Sequence, residues 1–189
     1  MTEIQLQKEI KLNQKALSIW FMGLSGAGKT TLANALEAYL LEKGFISVVQ
    51  DADRVRQALN KELGYSVEDR KENIRRVAEV SKLLILNGLI SINAFICPTE
   101  DIRDQIVQII DKEKLVFIYL STPMEVCEQR DIKGMYNKAR NGELSNFTGI
   151  GAKFEVPLKA HLIIDTSKTS IVACIDTIFQ KIESKIRLT

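Results

Sequence analysis

Gly23-Leu24-Ser25-Gly26-Ala27-Gly28-Lys29-Thr30 matches the pattern G-x-x-x-x-G-K-S/T at every fixed position, and its reading decides the fold. Glycines let the backbone take positive φ and approach a ligand closely, so that successive N–H groups converge on one anion. Lys29 supplies a mobile ammonium for outer phosphates and Thr30 a hydroxyl for Mg²⁺, and a helix starting there turns its positive end toward the same charge. The motif implies a nucleoside triphosphate site.

Such a loop belongs between a buried strand and a helix. Residues 16–22, Ala-Leu-Ser-Ile-Trp-Phe-Met, are mostly large and apolar, as a strand covered on both faces requires. After the loop, Leu32, Ala35, Leu36, Tyr39 and Leu40 recur at helical spacing, and Gly44 is placed to end that helix.

Outward from this unit the alternation continues. Residues 45–50 predict a second strand that ends at Asp51-Ala52-Asp53. Ser66 predicts the N-cap of a long helix ending at Gly88. Residues 89–96 predict a third strand, stopped by Cys97-Pro98 because proline cannot donate to a sheet. Thr99 predicts a helix start, residues 115–120 a fourth strand, and Pro123 another helix start. Residues 132–159 show no convincing periodicity, and a loop of that length in a compact domain is usually functional, often a lid. A short fifth strand at 162–165 and a helix opening at Ser170 complete the chain. Five such alternations predict a three-layer α/β fold with a parallel sheet, in one domain spanning 1–189 with a lid at about 130–158.

Composition excludes several classes. The chain has 189 residues, 46% hydrophobic and 26% charged, with no apolar run near the roughly 20 residues that a membrane helix needs. A net charge of +2, from 26 basic and 24 acidic residues, is too even for general nucleic-acid binding. The N-terminus is polar and lacks the apolar core of a secretory signal, so a cytoplasmic protein is expected. Cys97, Cys127 and Cys174 have no C-x-x-C pairing and are read as reduced thiols, and His161, the only histidine, as structural.

A guanine-specifying N-K-x-D is missing, since Asn60-Lys61-Glu62-Leu63 lacks the aspartate, and Asp131-Ile132-Lys133-Gly134 comes too late to be a GTPase switch. The third and fourth strands end in Cys97-Pro98 and Ser121-Thr122, without the acidic residue of a motor ATPase. Asp51 and Asp53 remain. One suits Mg²⁺, with Thr30 and Asp51 the expected metal ligands, and the other suits orienting or deprotonating an acceptor hydroxyl; the residues leave that division open. Cations follow in plenty, among them Arg54, Arg56, Arg70, Arg75, Arg76, Arg130, Lys133, Lys138 and Arg140, suited to clamping an anionic acceptor or the transferring phosphoryl group.

Taken together, the chain resembles the adenylylsulfate kinases, which phosphorylate the 3′-hydroxyl of adenosine 5′-phosphosulfate with ATP. The likeness runs from about Ile19 to about Thr166. Beyond the generic loop it rests on residues 59–65 (Leu-Asn-Lys-Glu-Leu-Gly-Tyr), 68–76 (Glu-Asp-Arg-Lys-Glu-Asn-Ile-Arg-Arg), 133–136 (Lys-Gly-Met-Tyr), 138–140 (Lys-Ala-Arg) and 146–150 (Asn-Phe-Thr-Gly-Ile). The resemblance implies that Arg56, Arg70 and Asn73 hold the acceptor's sulfate, phosphate and sugar, and that Tyr65 and Phe147 sandwich its adenine. It matches Asp51 and Asp53 to paired catalytic aspartates and the stretch from Arg130 to Phe147 to a lid. Residues 23–31 (through Thr31) and Arg130 are expected to hold MgATP, Lys133 the acceptor, and Lys29 with Asp51 and Asp53 to serve catalysis. A homodimer is also implied.

Three positions depart from that pattern. Asp51-Ala52-Asp53 stands for Asp-Gly-Asp; Cys97 stands for a serine described as a phosphorylated intermediate, which makes direct in-line transfer the expected mechanism; and residues 151–155 lack the usual acidity and proline. Two rivals stay open, a related kinase acting on another small acceptor such as a nucleotide or sugar acid, and a nucleotide-binding partner protein without catalysis.

Overall fold

A computed structural model describes residues 2–131 and 133–188. In chain order the elements are α1 (Glu3–Leu12), β1 (Ser18–Met22), α2 (Lys29–Glu42), β2 (Ser47–Asp51), α3 (Ala52–Gln57), α4 (Val67–Leu86), β3 (Ile90–Ala94), α5 (Glu100–Ile109), β4 (Leu115–Leu120), α6 (Met124–Arg130), α7 (Met135–Arg140), β5 (Leu162–Ile164) and α8 (Ile171–Ile186), with a 3₁₀ turn at Lys112–Lys114. The sheet runs β2-β3-β1-β4-β5, and every pairing is parallel.

The expected alternation of side chains sorts β1 and β4 into two cores. Ile19, Phe21, Val116, Ile118 and Leu120 meet α2 and α8 on one face. Trp20, Met22, Leu115 and Phe117 meet α4 and α5 on the other. Both faces are therefore covered, as the continuous apolar run of residues 18–22 requires.

Local signals are as the sequence predicts at most ends. The Ser66 side chain accepts from the N–H of Asp69, that of Ser170 from Ala173, and Gly44 and Gly88 follow their helices with φ of 83° and 84°. His161 is structural: its Nδ1 accepts the Phe117 N–H at 3.0 Å.

Three helices were not expected. α1 precedes the first strand, α3 begins at the acidic cluster, and α7 interrupts the segment read as irregular. α7 exists because Tyr136 and Ala139, one turn apart, are buried in the core beside α2, while Asp131 accepts the N–H groups of Tyr136 and Asn137 at 3.1 Å each. Among the described residues no helix is long and apolar enough to cross a membrane.

Candidate active site

β1 delivers the chain to the phosphate loop and α2 carries it away. A Cβ at Gly26, where φ is 76°, would come within 2.7 Å of the Cys127 carbonyl oxygen, so only glycine lets the loop pass α6. Gly28 caps α2 without a side chain, leaving the first-turn N–H groups to a ligand. Lys29 folds back over the loop, its Nζ donating to the carbonyls of Gly23 (3.0 Å) and Leu24 (2.6 Å). Burial pushes its ammonium down to about 8. The Thr30 hydroxyl donates to Asp51 Oδ2 at 2.7 Å, and the Asp53 N–H to Asp51 Oδ1 at 3.0 Å.

Two chambers open on the C-terminal edge of the sheet, where ligands of parallel α/β folds bind. The first, about 550 Å³, is lined by Ser25, Gly26, Gly28, Lys29, Thr30, Thr31, Asp51, Asp53 and Arg130. Gly23, Leu24 and Ala27 form the back of the loop instead: Gly23 and Ala27 are buried and Leu24 packs against the core. The second chamber, about 450 Å³, gathers all six expected acceptor residues, Arg56, Tyr65, Arg70, Asn73, Lys133 and Phe147. Asp53 and Lys133 line both, and they form an ion pair at the junction.

Electrostatics marks the second chamber as an anion site. The Arg56 guanidinium lies 4.4 Å and that of Arg70 5.8 Å from the Tyr65 ring centroid, which brings two cations to one side chain. Burial, then the charge of Arg56, lowers the pKa of Arg70, and an anion bound beside it would offset both by Coulomb attraction. In this arrangement Arg56 covers a face of the Tyr65 ring, and Phe147 packs edge-on against Tyr136 at 4.9 Å and 79° rather than stacking on Tyr65. Arg70 also ties down the loop around Phe147, donating to Thr148 Oγ1 at 2.7 Å and to the Asn146 carbonyl. Asn73 is buried and accepts from Asn60 Nδ2 at 3.0 Å.

The adenylylsulphate kinase family model matches residues 15–165. The chain belongs to the adenylylsulfate kinase family. An adenylyl-sulfate kinase from Bacteroides thetaiotaomicron is 49% identical over 179 residues, covering 95% of this chain and 89% of its own. The Mycobacterium tuberculosis APS kinase CysC in complex with AMPPNP and APS superposes with a TM-score of 0.85 at 36% identity, covering 89% of this chain and 98% of that one. A hexameric APS kinase from Thiobacillus denitrificans gives a TM-score of 0.68 at 28% identity, over 92% of this chain and 30% of that longer one.

In this adenylylsulfate kinase family member Cys97 lines the second chamber, with its thiol buried and pushed up to about 12 by burial. A neutral, desolvated thiol is a poor nucleophile. Several residues of the site escaped the sequence reading. Thr166, just past β5, donates to the Ala27 carbonyl at 3.0 Å and receives Arg130 Nη1 at 2.9 Å; its signal was its place at a strand's C-terminal end. Tyr136 donates to the Ser25 carbonyl at 3.0 Å. Arg103, buried on α5, donates to the carbonyls of Cys97 (2.7 Å) and Glu155 (2.9 Å), and so fixes the chamber wall to the segment before β5. Nothing local in the sequence marks those last two contacts.

Proposed function

We propose that the protein transfers the γ-phosphoryl group of ATP directly to the 3′-hydroxyl of adenosine 5′-phosphosulfate, giving 3′-phosphoadenosine 5′-phosphosulfate. The observation that carries this reading is the junction: a phosphate-binding chamber and a cationic acceptor chamber meet at Asp53 and Lys133. Phosphoryl transfer needs little from the protein beyond such placement and charge stabilisation.

The roles divide as follows. Lys29 and the loop N–H groups neutralise the triphosphate. Asp51 has one oxygen engaged by Thr30 and the other by the Asp53 N–H, whereas Asp53 faces both chambers, which supports Asp53 as the group that orients the hydroxyl and accepts its proton. Thr30 and Asp51 present hard oxygen donors beside the phosphate loop, a set that suits Mg²⁺ once phosphate oxygens join it. Bound there, the ion would offset charge on the β- and γ-phosphates. Arg56, Arg70 and Asn73 hold the acceptor's anionic groups and sugar, Tyr65 and Phe147 its base, and Lys133 leaves Asp53 to meet the incoming phosphates. Residues 130–158 close over both ligands as a lid, in one domain. A cytoplasmic homodimer serving sulfate assimilation is the setting the resemblance supports.

Incubating the protein with ATP, Mg²⁺ and adenosine 5′-phosphosulfate, then reading the product by mass and by the position of its new phosphate, tests the assignment. Phosphorylation at the 3′-oxygen is expected. Phosphorylation elsewhere, or none, overturns it.

A further inference from the structure

Three successive carbonyls of the phosphate loop are each held by a side chain. Tyr136 donates to Ser25 O at 3.0 Å, Arg130 to Gly26 O at 3.2 Å, and Thr166 to Ala27 O at 3.0 Å. The C=O and N–H of a trans peptide unit point in opposite directions, and no peptide among the described residues is cis. Pinning the Ser25 and Ala27 carbonyls therefore turns the N–H groups of Gly26 and Gly28 the other way, toward the nucleotide chamber that both glycines line. The cradle is aimed by the side chains that hold its carbonyls.

The three restraints differ in what else they touch. Arg130 and Thr166 line the nucleotide chamber and bond each other. Tyr136 instead touches a residue of the other chamber: its ring packs edge-on against Phe147, with centroids 4.9 Å apart. Phe147 is gripped on both sides by Arg70, through Asn146 and Thr148. An acceptor that engages Arg70 and Phe147 therefore bears on Tyr136, and through its hydroxyl on the loop. Tyr136 is 1% exposed, and burial raises its phenol pKa further, so it remains a donor at any working pH.

We propose that Tyr136 is a positioning residue that couples the two chambers, so that an acceptor bound against Phe147 tightens nucleotide binding by fixing the Ser25 carbonyl. The proposal rests on the acceptor assignment made above. Coupling is reciprocal, so the nucleotide tightens the acceptor by the same factor.

The test is the dissociation constant of AMPPNP, with Mg²⁺, measured by calorimetry without and with saturating adenosine 5′-phosphosulfate. One neutral hydrogen bond implies a tightening of about fivefold in the unmodified protein. Tyr136→Phe, which removes only the hydroxyl, is expected to shrink it below about twofold while leaving the affinity for the phosphosulfate alone within about twofold. Phe147→Leu, which keeps the hydroxyl bond and removes the edge contact, is expected to lose the tightening too even with the phosphosulfate raised to saturate the variant's own weakened acceptor affinity, measured separately, and stands in if the first variant fails to fold. Full tightening in either variant, an equal loss of nucleotide affinity in both arms, or no tightening in the unmodified protein overturns the proposal. Failure of the phosphosulfate to bind at all refutes the acceptor assignment instead, so the two failures are distinguishable.

Discussion

Lys29 carries opposed demands. Its ammonium must be charged to hold phosphate, yet burial lowers its pKa from 10.5 to about 8. Between those values the unfolded chain binds the extra proton and the folded chain does not, so this group's contribution to stability rises with pH across that window. Nucleotide affinity moves the other way. Calorimetry with AMPPNP from neutral to alkaline pH should show affinity falling above about pH 8, by up to about tenfold per unit, and the dependence should vanish in Lys29→Met. A flat profile would contradict the placement. At Asp53, the neutral isostere Asp53→Asn should lower kcat by about 10²- to 10⁴-fold with AMPPNP affinity little changed, since a general base contributes on that scale; steady-state kinetics checks it. Cys97→Ser should leave turnover within about threefold and yield no phosphoprotein on incubation with ATP, because a group so desolvated does not act as nucleophile. Lys29, Thr30, Asp51 and Asp53 were legible because each sits at a fixed place in a local pattern. Tyr136, Arg103 and Glu155 were not, because each acts on a backbone carbonyl or N–H that is distant in sequence and carries no residue-type signal.

At the scale of elements, α5 shows how a helix end is finished from afar. Its N-cap Thr99 makes no side-chain cap hydrogen bond; instead Glu155, 55 residues further along the chain, accepts the Glu100 N–H at 2.8 Å. Glu155 also donates its own N–H to Pro98 O at 2.8 Å, and Arg103 pairs with Glu100 at 2.9 Å. The sequence placed this helix correctly but not what caps it. Arg103→Met should strand the buried Cys97 carbonyl and the half-buried Glu155 carbonyl and cost about 3 kcal/mol, read as a lowered urea midpoint. The exposed pair Lys71–Asp101, bridging α4 and α5 at 2.7 Å, serves as the contrast: Lys71→Met should cost no more than about 1 kcal/mol. Equal costs would refute the clamp. The helices with buried apolar stripes, α2, α4, α5 and α8, were legible from periodicity. α1 was not, because its Ile4, Leu6 and Ile10 are exposed and the residue it buries is Glu9, which accepts the Ala16 N–H at 3.1 Å and pairs with Lys114. α3 and α7 have six residues each, too few for a period to show.

Across the whole molecule, the sheet order places β1 between β3 and β4, so the phosphate loop opens mid-sheet, with α3 following β2 toward one edge and α6 and α7 following β4 toward the other. The parallel architecture was legible from strand and helix alternation, but the strand order and the meeting of two chambers were not, because they depend on crossovers that periodicity does not encode. The turn that follows α7 is part of this architecture. A Cβ at Gly151 would overlap the Ser145 carbonyl oxygen in the turn that presents Phe147, so Gly151→Ala should raise KM for the acceptor more than KM for ATP. The central claim is that both chambers serve one reaction with one acceptor. A coupled assay of ADP release from MgATP, run with adenosine 5′-phosphosulfate beside adenosine monophosphate, cytidine monophosphate and gluconate, tests it most directly. Strong stimulation by the phosphosulfate alone is the predicted result; stimulation by another acceptor, or no turnover despite tight ATP binding, would contradict it.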